Sequence, residues 1–310
     1  MILITGGLGF IGLHTARRLL DLGESCVLTQ YRVAREPDFI KDEVGNRVYI
    51  EKLDVTDARM LDEIGRRHPI DGIIHLAVPG IGALAPADEL RVNLDGLTNI
   101  LEAASKWGVK RVSLASSVAM YAGVQQGPWR EDMPLRTTGG LATEAFKRVF
   151  ESLGAFYADR TGLDVVLLRI GAIYGPLYHS MNNLPSRLVL TAVRGEPPVL
   201  RGEYEDDAHD LCYIKDAANG IALLQTAAVL KHRVYNIGAG RETANREFVD
   251  AIEASFGTRA QLNAGRGPNA RDSAFMDLTR IREDVGYSPE WPTQRAMADY
   301  IAWLKAGNPE

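Results

Sequence analysis

The sequence predicts an α/β protein, a doubly wound parallel sheet carrying a smaller C-terminal lobe. Short β-branched or Leu-rich runs alternate with longer amphipathic stretches, the rhythm of successive βαβ units. A Gly-rich turn, Thr5-Gly6-Gly7-Leu8-Gly9-Phe10-Ile11-Gly12, joins the first run to the first amphipathic stretch. After Ile170 the rhythm breaks, and Pro176, Pro185, Pro197 and Pro198 punctuate the chain.

Taken in order, strands are expected at residues 1–5, 25–29, 47–52, 72–76, 111–115, 165–170 and 234–237. Helices are expected between them at 9–22, 57–67, 88–107, 142–161 and 214–228. The first strand is the apolar run Met1-Ile2-Leu3-Ile4, closed by the Gly-rich turn. In the helix at 142–161, Phe146, Val149, Phe150, Leu153 and Tyr157 recur at helical spacing. They form one apolar stripe, wide enough to face the sheet or a partner subunit. Residues 1–170 and 210–240 are assigned to the sheet domain, and 171–209 with 241–310 to the second lobe. Gly265-Arg266-Gly267-Pro268 marks a further loop in that lobe, and the chain has no internal repeat.

A chain of 310 residues suffices for one large α/β domain, or one domain with a smaller lobe. Its net charge of −5 argues against a general nucleic-acid binder, which needs a clustered basic face to displace counterions. Cys26 and Cys212 lie far apart within apolar runs and read as reduced core thiols. The opening apolar run stops at Thr5-Gly6-Gly7, too short for a signal peptide. No stretch reaches the roughly 20 apolar residues of a membrane span, so the expectation is a cytoplasmic protein without a membrane partner. No metal site is expected.

The turn states its chemistry. One glycine must reverse the chain, one must let the backbone approach a pyrophosphate, and one must let helix pack on strand. The helix that follows offers free N–H groups and a partial positive charge to phosphate. Following a strand and opening a helix, Gly6-x-x-Gly9-x-x-Gly12 reads as the dinucleotide site of a Rossmann-type fold.

Further motifs stand in order along almost the whole chain. They are Asp54-Val55, Ile74-His75-Leu76-Ala77, Asn93 with Gly96 and Asn99, and Ser116-Ser117 with Tyr121. Leu168-Arg169, Tyr174-Gly175-Pro176 and Tyr235-Asn236-Ile237-Gly238 continue the series. With the Gly turn, this set resembles the extended short-chain dehydrogenase/reductase superfamily, in its NAD-dependent epimerase/dehydratase branch. The resemblance implies a small-molecule substrate and a Rossmann domain at 1–170 and 210–240, with a substrate lobe at 171–209 and 241–310. It makes Gly6, Gly9, Phe10, Ile11, Gly12, Asp54, Val55, Leu76, Ala77 and Asn93 cofactor neighbours. It also implies a homodimer paired through the helices at 88–107 and 142–161.

NAD enzymes place an acid at the end of the second strand to bind the ribose 2′-hydroxyl. Here that position is Gln30, followed by Arg32 and Arg35. A missing carboxylate removes repulsion toward a 2′-phosphate, and either arginine could pair with one bidentately. The expectation is therefore NADP, with NAD the alternative.

The resemblance further implies a Ser or Thr, and a Tyr and Lys spaced Tyr-x-x-x-Lys. Ser117 takes the first role. Lys147 takes the last and would also bind the nicotinamide ribose. The tyrosine position is then Thr143. A phenol near a Lys ammonium can be tuned down from about 10 toward working pH, whereas a Thr hydroxyl can relay a proton but cannot ionise usefully there. The candidates for the missing role are Tyr121 first, then Tyr174, His179 and His75, or an acidic hydroxyl of the substrate.

In the second lobe, the nucleotide-sugar members of the family carry Asn after the Leu-Arg strand and Arg-Asp before the last parallel strand. This chain has Ala172 and His209-Asp210. Asn182-Asn183-Leu184 does resemble the epimerases' uridine-diphosphate contact, and Arg266 or Arg271 could serve a phosphate. Tyr174, His179, Asn182, Asn183, His209 and Arg266 are therefore the candidate substrate residues. Three functions follow in order of expectation. The first is an NAD(P)-dependent oxidoreductase moving hydride between nicotinamide C4 and a carbonyl or alcohol, with an atypical proton donor. The second is a nucleotide-sugar epimerase or dehydratase, and the third a non-catalytic dinucleotide-binding protein.

Overall fold

The computed structural model describes residues 1–31, 38–78, 84–137 and 140–310. Seven parallel strands form the central sheet: β1 (Ile2–Thr5), β2 (Cys26–Gln30), β3 (Val48–Lys52), β4 (Gly72–His75), β5 (Arg111–Ser117), β6 (Val165–Ile170) and β10 (Val234–Ile237). Their order is β10-β6-β5-β4-β1-β2-β3, so the chain reverses its direction of progress between β1 and β4. In such a sheet the crevice at the carboxyl ends of the two strands flanking the reversal is where ligands bind.

Strand alternation divides the core in two. Ile2, Ile4, Cys26 and Leu28 face α1 (Phe10–Asp21) and α6 (Ile214–Thr226). Leu3, Val27, Ile73, Val112 and Leu114 face α2 (Ala58–Arg67), α3 (Pro86–Trp107) and α4 (Ala142–Thr161). Both faces are covered, as all-parallel sheets require. Cys26 and Cys212 are buried and unpaired.

The second lobe gathers β7 (Ala172–Tyr174), paired in parallel with β9 (Leu211–Tyr213), and β8 (Ala208–His209), antiparallel to β11 (Thr243–Ala244). Helices α5 (Leu184–Arg194), α7 (Asn245–Phe256) and α9 (Thr293–Lys305) close around Tyr174, Leu188, Phe248 and Tyr300. The packing crosses the sequence-drawn division at two places. β9 joins the lobe's small sheet, and the stretch containing α8 (Thr279–Val285) joins the main core through Met276, Leu278, Ile281 and Tyr287. The Tyr287 hydroxyl donates to the Gly238 carbonyl at 2.9 Å, tying that stretch to the end of β10.

The expected apolar stripe of α4 faces the sheet only in part: Phe150 is buried against it and Tyr157 packs on the same core, while Phe146 and Val149 are half-buried. The buried face is Glu144, Lys147, Phe150, Glu151, Gly154 and Ala158, while Leu153 and Phe156 are 40% and 62% exposed. Gly154 and Ala158 present no bulk, so the helix approaches β5 closely; a Cβ at position 154 would stand 2.7 Å from the Leu114 Cδ1. Among the described residues no helix is long and apolar enough to cross a membrane. Nor does any group of three or more His, Cys, Asp or Glu among them stand placed to hold a metal ion.

Candidate active site

The Gly-rich turn sits at the carboxyl end of β1, on the reversal point of the sheet. Gly6 adopts φ +66°, the left-handed region that favours glycine. At position 12, a Cβ would stand 2.6 Å from the Gly6 carbonyl oxygen, so only glycine lets α1 start this close to the turn. Gly9 precedes α1 with no side-chain cap, and no acid occupies the first turn. The first N–H groups of the helix, at Phe10, Ile11 and Gly12, have no acceptor within it and present positive potential to an anion.

Two threonines brace the turn. Thr29 Oγ1 accepts from the Gly6 N–H at 3.2 Å. Thr5 Oγ1 lies 3.2 Å from the N–H groups of both Leu76 and Ala77, so it accepts from them. Its own proton therefore goes to His75 Nδ1, at 2.7 Å, which fixes His75 as the neutral tautomer with hydrogen on Nε2. Burial, and then the Lys147 charge, push the His75 pKa down to about 3. His75 is thus no proton carrier near neutral pH.

Asp54 follows β3, and its Oδ1 accepts from the Thr56 N–H at 3.0 Å and hydroxyl at 2.7 Å. Burial works against its ionised form, but those two bonds and one from the Tyr31 hydroxyl hold it below the usual carboxylate range. Asn99 Nδ2 donates to the Val55 carbonyl at 3.0 Å, and buried Asn93 donates to the Glu89 carbonyl at 2.8 Å. At the end of β2, Gln30 Oε1 is buried with no hydrogen-bond partner among the described residues. Arg32 and Arg35 lie outside the described residues.

On the other side of the crevice, α4 lays Lys147 along β5. Its Nζ donates to the Ala115 carbonyl at 2.6 Å and lies 5.0 Å from the centre of the Phe150 ring. Burial lowers its pKa to about 8. Ser117, the last residue of β5, accepts from the Ala119 N–H at 3.1 Å and leaves its own hydroxyl proton to donate elsewhere. Thr143 is half-buried in the first turn of α4, four residues before Lys147.

Behind these groups lies a network that sequence reasoning did not assemble. Arg169 on β6 grips Glu151 through Nε and Nη2 at 2.9 and 2.8 Å, and Ser116 donates to the same carboxylate at 2.5 Å. Arg169 Nη1 reaches the Tyr121 hydroxyl at 2.9 Å, and that hydroxyl donates to Asn236 Oδ1 at 2.8 Å. This overturns the first choice for the missing proton group. Tyr121 is fully buried and stacked on Trp129, and burial raises its pKa to about 12. Its hydroxyl is committed on both sides, so it acts as a tie between β5, β6 and β10. The one signal for this was Glu151 standing one turn after Lys147 on the same face as the lysine.

The expected substrate residues scatter. Tyr174 packs its ring against Tyr213 and Phe248 inside the lobe core, which removes it both as a proton donor and as a substrate contact. Asn183 is the N-cap of α5: Oδ1 accepts from the Ser186 N–H at 2.9 Å and Nδ2 donates to the Ile173 carbonyl at 3.1 Å, so both ends of its amide are engaged. His179, Asn182 and His209 are exposed. Arg266 is also exposed, ion-paired with Asp272 at 2.8 Å and donating to the Arg271 carbonyl at 2.9 Å.

Comparison with known proteins gives a consistent picture. A family model described as the NAD dependent epimerase/dehydratase family matches residues 2–238. A dTDP-glucose 4,6-dehydratase of Streptomyces griseus is 28% identical over 97% of this chain and 93% of its own length. A UDP-glucose 4-epimerase of Mus musculus is 26% identical over 98% of this chain and 96% of its own. Among solved structures, the UDP-glucose 4-epimerase of Thermotoga maritima with UDP-glucose superposes with a TM-score of 0.82 at 22% identity, covering 99% of both chains. The UDP-glucuronic acid 4-epimerase of Bacillus cereus in complex with NAD gives 0.79 at 22%, also over 99% of both. The epimerase/dehydratase alternative therefore stands ahead of net hydride transfer to a carbonyl, and nothing in these likenesses favours NADP.

Proposed function

This chain belongs to the NAD dependent epimerase/dehydratase family, and from that premise we propose that it is an NAD-using epimerase or dehydratase of a nucleotide sugar. The observation that carries the reading is the placement of Lys147. Its amine stands on β5, two strands from β1 and across the reversal point from the open N-terminus of α1. A dinucleotide whose pyrophosphate rests on Phe10–Gly12 would extend its nicotinamide ribose toward that amine. The relatives named above act on UDP- and dTDP-sugars, and the likeness runs nearly end to end.

Bound NAD supplies a hydride acceptor that takes a hydrogen from a sugar carbon and returns it within the cycle. The chain supplies the rest. The first turn of α1 holds the pyrophosphate, Asp54 and Val55 border the adenine, and Leu76, Ala77 and Asn93 line the middle of the cofactor. Lys147 holds the ribose. Ser117 offers its proton to the sugar oxygen that becomes a carbonyl, and Thr143 stands where the family has tyrosine. Gln30 carries both an acceptor, Oε1, and a donor, Nε2, so the choice of NAD here rests on the family and on its relatives rather than on this side chain. NAD is therefore the cofactor of this reading. Leu90 on α3 and Leu153 and Phe156 on α4 are exposed, and a second copy of the chain would cover them.

The test is a panel of UDP-glucose, UDP-glucuronate and dTDP-glucose, each incubated with the protein and NAD and followed by proton NMR. The expected result is a C4 epimer or a 4-keto product without accumulation of NADH. Inertness toward all three, with steady oxidation of reduced cofactor by simple carbonyls, would restore the oxidoreductase reading.

A further inference from the structure

Two side chains from different parts of the fold hold the segment between β7 and α5, and one of them comes from α1. One turn after Phe10, the ring of His14 is buried, and its Nε2 lies 3.0 Å from the Pro176 carbonyl oxygen. A carbonyl only accepts, so Nε2 carries the hydrogen and donates it. The ring stands edge-on to Phe10, with centres 5.9 Å apart, and lies 5.3 Å from Phe39, which precedes β3. Phe10 in turn meets Tyr178 at 5.1 Å. At the far end of the segment, buried Arg187 of α5 donates through Nη1 to the Met181 and Asn182 carbonyls, at 3.1 and 2.8 Å.

The backbone between these two holds is strained. Leu177 adopts φ +70°, a left-handed conformation that a leucine rarely takes. Its side chain is buried in the main core, and the Tyr178 N–H donates to the Gly175 carbonyl at 3.2 Å, closing the turn around it. Such a conformation persists only where its surroundings over-determine it. His14 supplies part of that constraint, through a hydrogen bond to the residue directly before Leu177.

We infer that His14 is a positioning residue for the substrate. The inference rests on the nucleotide-sugar reading above. The segment that His14 holds carries exposed Asn182 and leads into Asn183 and Leu184, the run that resembles the epimerases' uridine-diphosphate contact. The helix that would cradle the cofactor pyrophosphate at Phe10–Gly12 also carries His14, about 6 Å along its axis from Phe10. One rigid element therefore sets the place of the cofactor and, through Pro176, the place of the substrate's nucleotide end. Because His14 acts through Pro176, its loss should loosen the substrate without weakening the cofactor or slowing hydride transfer.

Hydrogen exchange and steady-state kinetics on the intact chain test this with two variants. His14→Leu removes the donor, and His14→Gln offers an amide N–H in its place. In His14→Leu, the amides of Tyr178 and Ser180, bonded to the Gly175 and Tyr178 carbonyls, should exchange about tenfold faster or more, while the sheet strands keep the parent's rates. His14→Gln should restore the parent's protection. Unchanged exchange in His14→Leu overturns the proposal whether or not any sugar is turned over, so this arm fails separately from the functional reading. On the sugar nucleotide that the parent turns over, His14→Leu should raise KM about tenfold or more, with kcat and NADH affinity held within about twofold. His14→Gln should recover most of that KM. A parent-like KM in His14→Leu overturns the assignment. So does a joint loss of kcat, KM and NADH affinity that His14→Gln does not rescue, since that is the result of packing alone.

Discussion

Glu151 on α4 receives Arg169 of β6 in a two-point grip, Nε to Oε1 at 2.9 Å and Nη2 to Oε2 at 2.8 Å, with both side chains almost wholly buried. Lys147 sits one turn before Glu151, so this pair fixes the helix that carries the candidate active-site lysine.

Breaking the grip should be costly. Arg169→Ala leaves an uncompensated carboxylate in the interior, a situation worth about 3–5 kcal/mol. Urea unfolding of Arg169→Ala should show that loss, with a smaller one for Glu151→Gln, which keeps its acceptor. A midpoint unchanged in both variants would remove the pair from the account.

The turn should tolerate no side chain at position 12. Gly12→Ala drives a Cβ to 2.6 Å from the Gly6 carbonyl oxygen, a backbone atom that cannot swing aside. Fluorescence titration should show NADH binding weakened by about 100-fold or more, since roughly 3 kcal/mol of strain falls on the pyrophosphate cradle. Affinity equal to the parent's would show that the cofactor binds elsewhere.

The NAD reading predicts the choice between dinucleotides. NADH should bind at least about tenfold tighter than NADPH, and Gln30→Ala should erase about 1 kcal/mol of NADH affinity. Tighter NADPH binding would instead return the selection to Arg32 and Arg35.

Acid should destabilise the protein through its buried histidines. His75 is held down to about 3 and His14 to about 4, chiefly by burial, whereas an unfolded histidine titrates near 6.5. Between those values the unfolded chain binds more protons than the native one. Their contribution is therefore complete above about pH 6.5 and is lost as the pH falls through the window. Denaturant midpoints recorded from pH 7.5 to 4.5 should drop by the equivalent of a few kcal/mol, and His75→Asn should flatten the slope.

Exposed Leu153 and Phe156 predict association. Light scattering should give twice the chain mass of 34.0 kDa, and Phe156→Glu should return the monomer. A monomer in the parent protein would leave that face without a second copy.

The sheet was legible because strand and helix periods differ and because the Gly6–Gly12 turn has a single physical use. The strand at 165–170 and the helix at 142–161 stand at those bounds in the structure, and the remaining sheet strands and flanking helices fall within two residues of expectation. Side-chain direction was not legible. Tyr121 follows a strand end, and nothing local says that its ring turns inward to Asn236, 115 residues away. The α4 stripe was legible only in part because its sheet face combines Phe150 with Gly154, Ala158 and three buried charged residues, of which Lys147 and Glu151 take partners from β5 and β6. Asn183 was read as a ligand contact, although an Asn two positions before Pro185 at a helix start also has the form of a cap.

Turnover of a nucleotide sugar carrying deuterium at C4, with NAD present, distinguishes a hydride returned to the sugar from one released. The label is expected to stay in the sugar, at C4 after epimerisation or on another carbon after dehydration, with no build-up of NADH. Deuterium accumulating in free reduced cofactor, one per sugar oxidised, would contradict the epimerase or dehydratase reading.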